Sequence, residues 1–290
     1  MKKIDVKAMI ALMRPKQWTK NVFVFAAIIF SRRFTDTNLL LNNIIMFLLF
    51  CFASSSVYIF NDIIDADKDR KHPDKKNRPI ASGKVSKIQG IILDLIILVS
   101  LSIITYKIDM KILIVILAYV IMNLFYSFKL KNVVIIDVMI ITAGFLLRVE
   151  SGSIISKVEL SPWLLLCTML LSLFLALNKR KGEIVALKEK STVTRKILKE
   201  YSVDLIDKML TIVTPSILIA YCLYTFSSVQ GRNMMVTIPF VLYGIFRYQY
   251  LMEKENAGAK PEDVFTKDKP FLINIICWCV ATIIVVYFKM

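Results

Sequence analysis

The sequence predicts an all-α, polytopic membrane protein with nine transmembrane helices. Of its 290 residues, 57% are hydrophobic, and the mean hydropathy is +0.62, whereas globular proteins are roughly 45–50% apolar. The apolar residues form continuous blocks of about 17–22 residues, the length that an α-helix needs to cross the hydrocarbon core. Charged residues are concentrated between these blocks. This pattern excludes an ordinary soluble enzyme, a disordered chain and a disulfide-framed secreted domain.

Nine apolar blocks follow one another along the chain, and each is interpreted as one transmembrane helix. The first block is the weakest candidate, because Arg14, Lys16 and Lys20 crowd its start. We expect a single transmembrane domain over residues 1–290. The predicted spans are residues 17–32, 39–60, 88–106, 112–128, 132–150, 160–178, 207–227, 234–251 and 271–288.

The distribution of Lys and Arg predicts the orientation of these helices. Loops on the N-terminal side of the membrane carry 29 of the 38 basic residues, loops on the other side carry 8, and Arg247 lies within a span. Because cytoplasmic loops are enriched in Lys and Arg, we expect a cytoplasmic N-terminus and an external C-terminus in the cell membrane. The long polar loops, all expected in the cytoplasm, are about residues 61–87, 179–206 and 252–270.

The net charge of +16 bears on the expected partners. In a membrane protein, a basic excess is explained by the positive-inside rule and by anionic lipid headgroups. Membrane lipids are therefore expected partners, and nucleic acid is not. The five cysteines lie in apolar blocks and the single histidine lies in a loop, so neither a disulfide framework nor a histidine-based zinc site is expected.

An acidic motif, N-D-I-I-D-A-D-K-D, follows the second span at residues 61–69. Asp62, Asp65 and Asp69 are spaced i, i+3, i+7 and would share one face of a helix. Three carboxylates on one face repel one another unless a cation lies between them. Such oxygen ligands suit Mg²⁺, which would let an acidic motif bind a diphosphate. The alternative is a solvated acidic turn that is neutralised by the cations of residues 68–71.

A basic segment follows the acidic motif at residues 72–83. Lys76 and Arg78 are expected to bind phosphate oxygens. Pro79 and Gly83 would fix the turn that directs these side chains. The alternative is that the cations only anchor the loop at the cytoplasmic surface.

The patterns N-D-x-x-D-x-x-x-D at residues 61–69 and R-P-x-x-S-G at residues 78–83 resemble the UbiA superfamily of intramembrane prenyltransferases. The resemblance implies nine helices bundled around a central cavity that opens to the cytoplasm. It also implies that Asp62, Asp65 and Asp69 are the catalytic acids and hold Mg²⁺, which binds the diphosphate of a substrate.

The chain departs from typical members of that superfamily after the sixth span. Members that act on aromatic acceptors carry a second Asp-x-x-x-Asp motif there, whereas residues 178–183 read N-K-R-K-G-E. Three cations surround the single acid, and such a cluster suits direct contact with phosphate groups. The alternative is that Glu183 alone satisfies Lys179 and Arg180, which precede it by one helical turn.

Further segments resemble one branch of the superfamily, the decaprenyl-phosphate phosphoribosyltransferases. In that branch the donor is phosphoribosyl diphosphate and the acceptor is a polyprenyl phosphate. The resemblance implies a pentosyltransferase whose products are polyprenylphosphoryl-5-phosphoribose, a precursor of cell-envelope glycans, and diphosphate. The segments are residues 14–21, 126–131, Asp137 with 144–148, 179–183, 195–201 and 261–270.

The resemblance also assigns substrate contacts to a set of polar residues. Arg148 lies deep in its span, where an arginine exposed to lipid is costly, so we expect it to face a cavity or a partner. Tyr126 either hydrogen-bonds to the donor or an acid, or belongs to an interfacial aromatic belt. The expected substrate-binding residues are Lys16, Lys20, Asn61, Arg78, Tyr126, Lys131, Arg148, Lys179, Arg180 and Glu183.

Two other functions stay open at the level of sequence. One is a prenyltransferase that moves a prenyl group from a prenyl diphosphate to a small acceptor, although its second acid pair is missing. The other is a transporter, for which charges within several spans and paired helix breaks are typical. The expected partners are phosphoribosyl diphosphate, polyprenyl phosphate and membrane lipids, and a homo-oligomer stays open.

Overall fold

All the regular secondary structure in the part of the chain that the structure describes is helical. The structure is a computed structural model, and its described residues contain no β-strand. These residues are 5–72, 75–190, 196–227, 231–254 and 268–288.

The described residues contain eleven α-helices and five 3₁₀ helices. The α-helices are α1 (Val6–Leu12), α2 (Ala26–Phe30), α3 (Thr37–Ile64), α4 (Ala66–Arg70), α5 (Lys87–Ile108), α6 (Met110–Phe128), α7 (Ile136–Ser156), α8 (Pro162–Lys190), α9 (Val203–Ser227), α10 (Ile238–Lys254) and α11 (Lys269–Phe288). The 3₁₀ helices are Pro15–Phe25, Lys75–Asn77, Leu130–Asn132, Lys196–Lys199 and Gly231–Thr237.

Short polar signals define where three of the long helices begin. The carboxylates of Asp36 and Asp109 accept hydrogen bonds from the first backbone N–H groups of α3 and α6. Ser86 and Gln89 form a reciprocal capping box at the start of α5. These side chains satisfy N–H groups that have no partner within the helix.

Seven of the described helices are long and apolar enough to cross a membrane, which indicates a multi-pass membrane protein. Two of the nine predicted spans do not form such helices. Residues 17–32 fall mainly in the 3₁₀ helix Pro15–Phe25 and in α2, and residues 234–251 fall in a 3₁₀ helix and in α10, which has 17 residues. The predicted count of nine is therefore not confirmed. The seven are α3, α5, α6, α7, α8 up to Val185, α9 and α11 up to Tyr287.

Helix α8 continues well beyond the predicted end of its span at residue 178 and reaches Lys190. The first part of the predicted loop 179–206 is therefore helical. Residues 179–190 include four Lys, one Arg and two Glu, and these residue types favour a helix even where they make the segment too polar to lie in the membrane. The apolar block thus ends near residue 178, whereas the helix continues beyond it.

The chain forms two compact units that divide within α7. The first unit comprises Met1–Lys131 and Leu147–Glu159. Its core surrounds α3, where Phe50 is fully buried and packs edge-on against Tyr119 of α6 at 5.3 Å between ring centroids. Much of α5 presents exposed isoleucine, leucine and valine side chains, as expected for a helix that faces lipid.

A close approach of two backbones fixes α7 against the N-terminal 3₁₀ helix within the first unit. A Cβ atom on Gly152 would lie 1.8 Å from the carbonyl oxygen of Val24. No side chain fits at that distance, so only glycine allows the contact. Nearby, the amide of Asn43 on α3 donates to the hydroxyl of Ser156 at 2.5 Å, which also holds α7 in place.

The second unit comprises Asn132–Leu146 and Leu160–Met290. Its core lies between α8, α9 and α10, where the Tyr248 ring packs against Phe174 at 5.3 Å and against Phe271 at 6.2 Å. Tyr221 of α9 accepts a hydrogen bond from the indole of Trp278 on α11 at 2.9 Å. Aromatic packing and polar contacts such as this one thus join the helices of this unit.

Candidate active site

The acidic motif lies at the C-terminal end of α3. Asp62 is in the last turn of α3, Asp65 separates α3 from α4, and Asp69 belongs to α4. The N–H groups of Asp65 and Asp69 donate to the carbonyls four residues earlier at 2.9 and 2.8 Å, so helical bonding continues through the break. The three carboxylates therefore keep the predicted helical spacing, and we call them the acidic ridge.

The acids of the motif differ sharply in exposure. Asp62 and Asp69 are 2% and 3% exposed, whereas Asp67 is exposed and pairs with Arg70 at 2.8 Å and Lys87 at 3.2 Å. The hydrogen bond from Lys87 lowers the pKa of Asp67 below its ordinary value. Asp67 is therefore a solvated acid, as the alternative expected, whereas Asp62 and Asp69 are buried.

Two arginines neutralise the buried acids. Arg14 donates a hydrogen bond to Asp62. Arg78 bridges the ridge, because its Nη1 atom lies 3.2 Å from Asp62 Oδ1 and 2.6 Å from Asp69 Oδ2. Arg78 was predicted to lie at the site, whereas Arg14 was read only as a charge at the start of the first span. The sequence feature that could have indicated a role for Arg14 is that it begins segment 14–21, one of the segments that resemble the phosphoribosyltransferase branch.

A lysine from further along the chain neutralises the third acid. Lys131 Nζ lies 3.3 Å from Asp65 Oδ2, and both side chains are about one quarter exposed. The sequence neighbour Lys68 is 3.9 Å from Asp65 but is 83% exposed, and such a pair contributes little. The predicted residue Lys131 is therefore brought to the acidic ridge.

The acidic ridge has the donor chemistry for a metal ion that is shared with a phosphate ligand. Asp62 Oδ2 is buried and has no hydrogen-bond partner, which leaves one carboxylate oxygen open. Among the described residues, no three His, Cys, Asp or Glu side chains are gathered into a metal cage. Mg²⁺ commonly takes one or two carboxylates and completes its shell with phosphate oxygens and water. The residues fit that mode.

Arg148 is buried among partners in the first unit, as predicted for an arginine deep in a span. It is 7% exposed, and it donates to Asn21 Oδ1 at 2.8 Å and to the Tyr119 hydroxyl at 2.9 Å. Its guanidinium also lies over the rings of Phe50 and Tyr119, at 5.7 and 4.8 Å. Sequence reasoning found the arginine and missed these partners, which lie on three other helices.

The remaining predicted residues of the first unit differ in exposure. Lys16 is exposed on the N-terminal 3₁₀ helix, and Lys20 on the same helix is half-buried. Asn61 and Tyr126 are also half-buried. The backbone carbonyl of Asn61 accepts the N–H of Asp65, so Asn61 is part of the turn that carries the acidic ridge. Substrate contact by these four residues stays a prediction.

The second unit contains a buried charged cluster, which we call the Arg180 cluster. Arg180 is 1% exposed, and it donates to Asp137 Oδ2 and to Glu183 Oε2, both at 2.7 Å. The Tyr201 hydroxyl donates to Asp137 Oδ1 at 2.7 Å and accepts the N–H of Ile135 at 2.8 Å. Burial and the contact with Asp137 raise the pKa of Tyr201, so its hydroxyl stays a donor.

The Arg180 cluster bears on the prediction that Arg180 contacts a substrate phosphate. Its side chain pairs with two carboxylates, Asp137 and Glu183, whereas the alternative named Glu183 alone. Contact of Arg180 with a phosphate stays a prediction. Asp137 is the partner that spacing missed, because it lies 43 residues earlier in the chain. Lys179 is half-buried, and its predicted contact with phosphate is not tested. Predictions for Arg195 and for residues 261–267 lie outside the described residues.

Comparison with known proteins identifies the family of this chain. The model of the UbiA prenyltransferase family matches residues 21–283. The chain belongs to the UbiA prenyltransferase family. The decaprenyl-phosphate phosphoribosyltransferase of Corynebacterium glutamicum is 32% identical and aligns over 96% of this chain and 86% of its own length. That of Mycolicibacterium smegmatis is 29% identical over 98% and 94%.

A solved structure supports the same fold. The UbiA homologue from Archaeoglobus fulgidus bound to GPP and Mg²⁺ superposes with a TM-score of 0.70 over 96% of each chain, at 16% identity. The predicted resemblance to the UbiA family is therefore confirmed, and the chain is a transferase of a multi-pass membrane family. The transporter alternative has no support, because the family and the named relatives are transferases.

Proposed function

We propose that this protein transfers a 5-phosphoribosyl group from phosphoribosyl diphosphate to a polyprenyl phosphate. The products are polyprenylphosphoryl-5-phosphoribose and diphosphate, and the lipid product serves cell-envelope glycan synthesis. Relatives named decaprenyl-phosphate phosphoribosyltransferase, aligned over almost the whole chain, support this choice of donor and acceptor. The reaction is a pentosyl transfer that depends on Mg²⁺.

The mixed cluster of carboxylates and cations around Asp62 carries the proposal. A site for a diphosphate held with Mg²⁺ needs acids for the metal ion and cations for the phosphate oxygens. The acidic ridge supplies Asp62, Asp65 and Asp69, and Arg78 and Lys131 lie within hydrogen-bond distance of it. In the second unit, residues 178–183 of α8 lack the second Asp-x-x-x-Asp motif of the family members that act on aromatic acceptors, which disfavours a prenyltransferase of the ordinary type.

Departure of the diphosphate is the step that the charged residues assist. When bound, Mg²⁺ would neutralise charge on the diphosphate and so make it a better leaving group. Asp62, Asp65 and Asp69 would hold the ion, and Asn61 would orient an acid. Arg78 and Lys131 would turn to phosphate oxygens and stabilise the negative charge that grows as the anomeric carbon–oxygen bond breaks.

Attack by the lipid completes the transfer. An oxygen of the polyprenyl phosphate bonds to the anomeric carbon of ribose, which carries positive character once diphosphate departs. A phosphate monoester is already anionic near pH 7, so this step requires no general base, and none is assigned. We propose Lys16, Lys20, Tyr126 and Arg148 as further groups that position the substrates.

The second unit has its own proposed roles. Lys179 would contact a substrate phosphate. Arg180 would act as a positioning residue, because its ion pairs hold Glu183 and Asp137 in fixed places. Nine spans with a cytoplasmic N-terminus are also part of the proposal. In it, residues 17–32 and 234–251 are the two spans beyond the seven apolar helices.

A binding comparison tests the choice of donor. In calorimetric titrations of the detergent-solubilised protein with Mg²⁺, phosphoribosyl diphosphate should bind, and ribose 1-phosphate should bind much more weakly because it lacks the diphosphate. Geranylgeranyl diphosphate is the competing donor. If it binds and phosphoribosyl diphosphate does not, the protein is a prenyltransferase of the ordinary type and the proposal is wrong.

A further inference from the structure

Arg14 holds its position at the acidic ridge in an unusual backbone conformation. It lies between α1 and the 3₁₀ helix Pro15–Phe25, with φ 54° and ψ 61°, which is the left-handed region. A residue other than glycine occupies this region only where its surroundings fix it. Here the guanidinium donates to Asp62 and lies 4.9 Å from the ring centre of Tyr58. The side chain is thus directed into the site.

The charges at the acidic ridge balance within the protein itself. The three acids of the ridge pair with three cations, which are Arg14, Arg78 and Lys131. The Asp62 side chain is 1% exposed, and the Arg14 side chain is 24% exposed. A buried carboxylate needs such a partner because it has lost its water. The arginine is the more exposed member of the pair, so it is the member that solvent and an arriving ligand can reach.

This balance disfavours a bare divalent ion. A metal ion that approaches Asp62 meets Arg14 and Arg78 on Oδ1, and only the buried Oδ2 has no hydrogen-bond partner. The ion must either displace Arg14 or lie close to it, and both cost free energy in a site that is poorly screened. A diphosphate that arrives with the metal ion removes the conflict, because its oxygens offer Arg14 a new anionic partner.

We propose that Arg14 is an exchangeable counter-ion of Asp62, which keeps a bare metal ion out of the acidic ridge and moves to the donor phosphates when metal ion and donor bind together. This inference rests on the proposed function for the identity of the donor. Its consequence is that metal ion and donor bind cooperatively. Arg14 serves this exchange better than Arg78, which bridges two acids and holds the ridge together.

Two binding measurements on one variant separate this role from a structural one. Arg14→Gln should bind Mn²⁺ alone about tenfold more tightly than wild type, measured by electron paramagnetic resonance of free Mn²⁺, because the competing hydrogen bond to a charged group is gone. The same variant should bind phosphoribosyl diphosphate about tenfold more weakly at saturating metal ion, measured by calorimetry. A merely structural role would weaken both.

Three further variants control the experiment. Arg14→Lys keeps a point charge and should bind Mn²⁺ alone much as wild type does. Lys87→Gln removes a cation that pairs with the exposed Asp67, and it should leave Mn²⁺ affinity within about threefold of wild type because exposed charges are screened. If Arg14→Gln does not fold, Arg14→Asn replaces it, because asparagine adopts the left-handed conformation readily. Arg14→Asn should also bind Mn²⁺ alone more tightly, and phosphoribosyl diphosphate more weakly, than wild type.

The outcomes distinguish the inference from the function on which it rests. If the neutral variants bind Mn²⁺ alone no more tightly than wild type, Arg14 does not compete with the metal ion and the inference is wrong. If their binding of both ligands is weakened, Arg14 is structural and the inference is again wrong. If the wild type binds no phosphoribosyl diphosphate at saturating metal ion, the proposed function fails, while the Mn²⁺ titrations still decide the exchange.

Discussion

Asp65 and Asp67 lie two residues apart and differ in every contact. Asp65 is half-buried on the acidic ridge and pairs with Lys131, whereas Asp67 is exposed and pairs with Arg70 and Lys87. Helical spacing was enough to assign these two acids to different faces. Spacing could not pair Arg14 with Asp62 or Lys131 with Asp65, because these partners lie 48 and 66 residues apart in the chain. Arg78 follows the motif closely and was predicted to lie at the site.

These two acids provide a matched pair of variants. Asp65→Asn should reduce phosphoribosyl transfer by at least about a hundredfold, the scale for loss of one group that stabilises the charge of a transition state. Asp67→Asn removes the same charge from the other face and should retain most of the activity. Initial rates at saturating Mg²⁺ measure both. Equal losses, or full activity in Asp65→Asn, would remove the acidic ridge from the mechanism.

At the level of elements, the Arg180 cluster joins α8 to the N-terminal part of α7 and to the chain before α9. The sequence predicted Arg180 and Glu183 as neighbours on one helix, and the structure confirms that contact. The sequence could not predict Asp137 and Tyr201 as partners, because both lie on other elements. For the same reason, an arginine that looked available to a ligand is buried.

Removal of Arg180 should therefore act on stability. Arg180→Ala leaves the fully buried carboxylate of Asp137 without its cation, which costs about 3–5 kcal/mol, so the melting temperature in detergent should fall by several degrees. Lys208→Ala breaks the exposed ion pair with Asp204 and should change the melting temperature little. If the two variants melt alike, the Arg180 cluster does not stabilise the fold, and direct contact of Arg180 with a phosphate becomes the better explanation.

At the level of the whole molecule, hydrophobicity predicted the class of protein and most of its spans. Seven of the nine predicted blocks became long apolar helices. The block at residues 17–32 did not, because Pro15 and a series of polar residues favour a 3₁₀ helix that packs on α3 through Trp18 and Ser55. The composition of a segment predicts whether it is apolar, but it does not predict which hydrogen bonds the backbone of the segment makes.

The predicted orientation can be tested with one position in the loop before α5 and one at the C-terminal end of α5. In a variant without the five native cysteines, a cysteine at Lys76 should react with a membrane-impermeant maleimide only after the cells are opened. A cysteine at Lys107 should react in intact cells, because the distribution of basic residues puts this end of α5 outside. Labelling of position 76 in intact cells would reverse the orientation of the protein.

The most direct test of the account is turnover by the purified protein. The protein is incubated with Mg²⁺, polyprenyl phosphate and phosphoribosyl diphosphate that is labelled in the ribose, and the lipids are then extracted. We expect the label in the lipid fraction as polyprenylphosphoryl-5-phosphoribose, with one diphosphate released for each transfer. Asp65→Asn should leave the lipid fraction almost without label. Unlabelled lipid, together with transfer of a prenyl group from geranylgeranyl diphosphate to a small acceptor, would contradict the account.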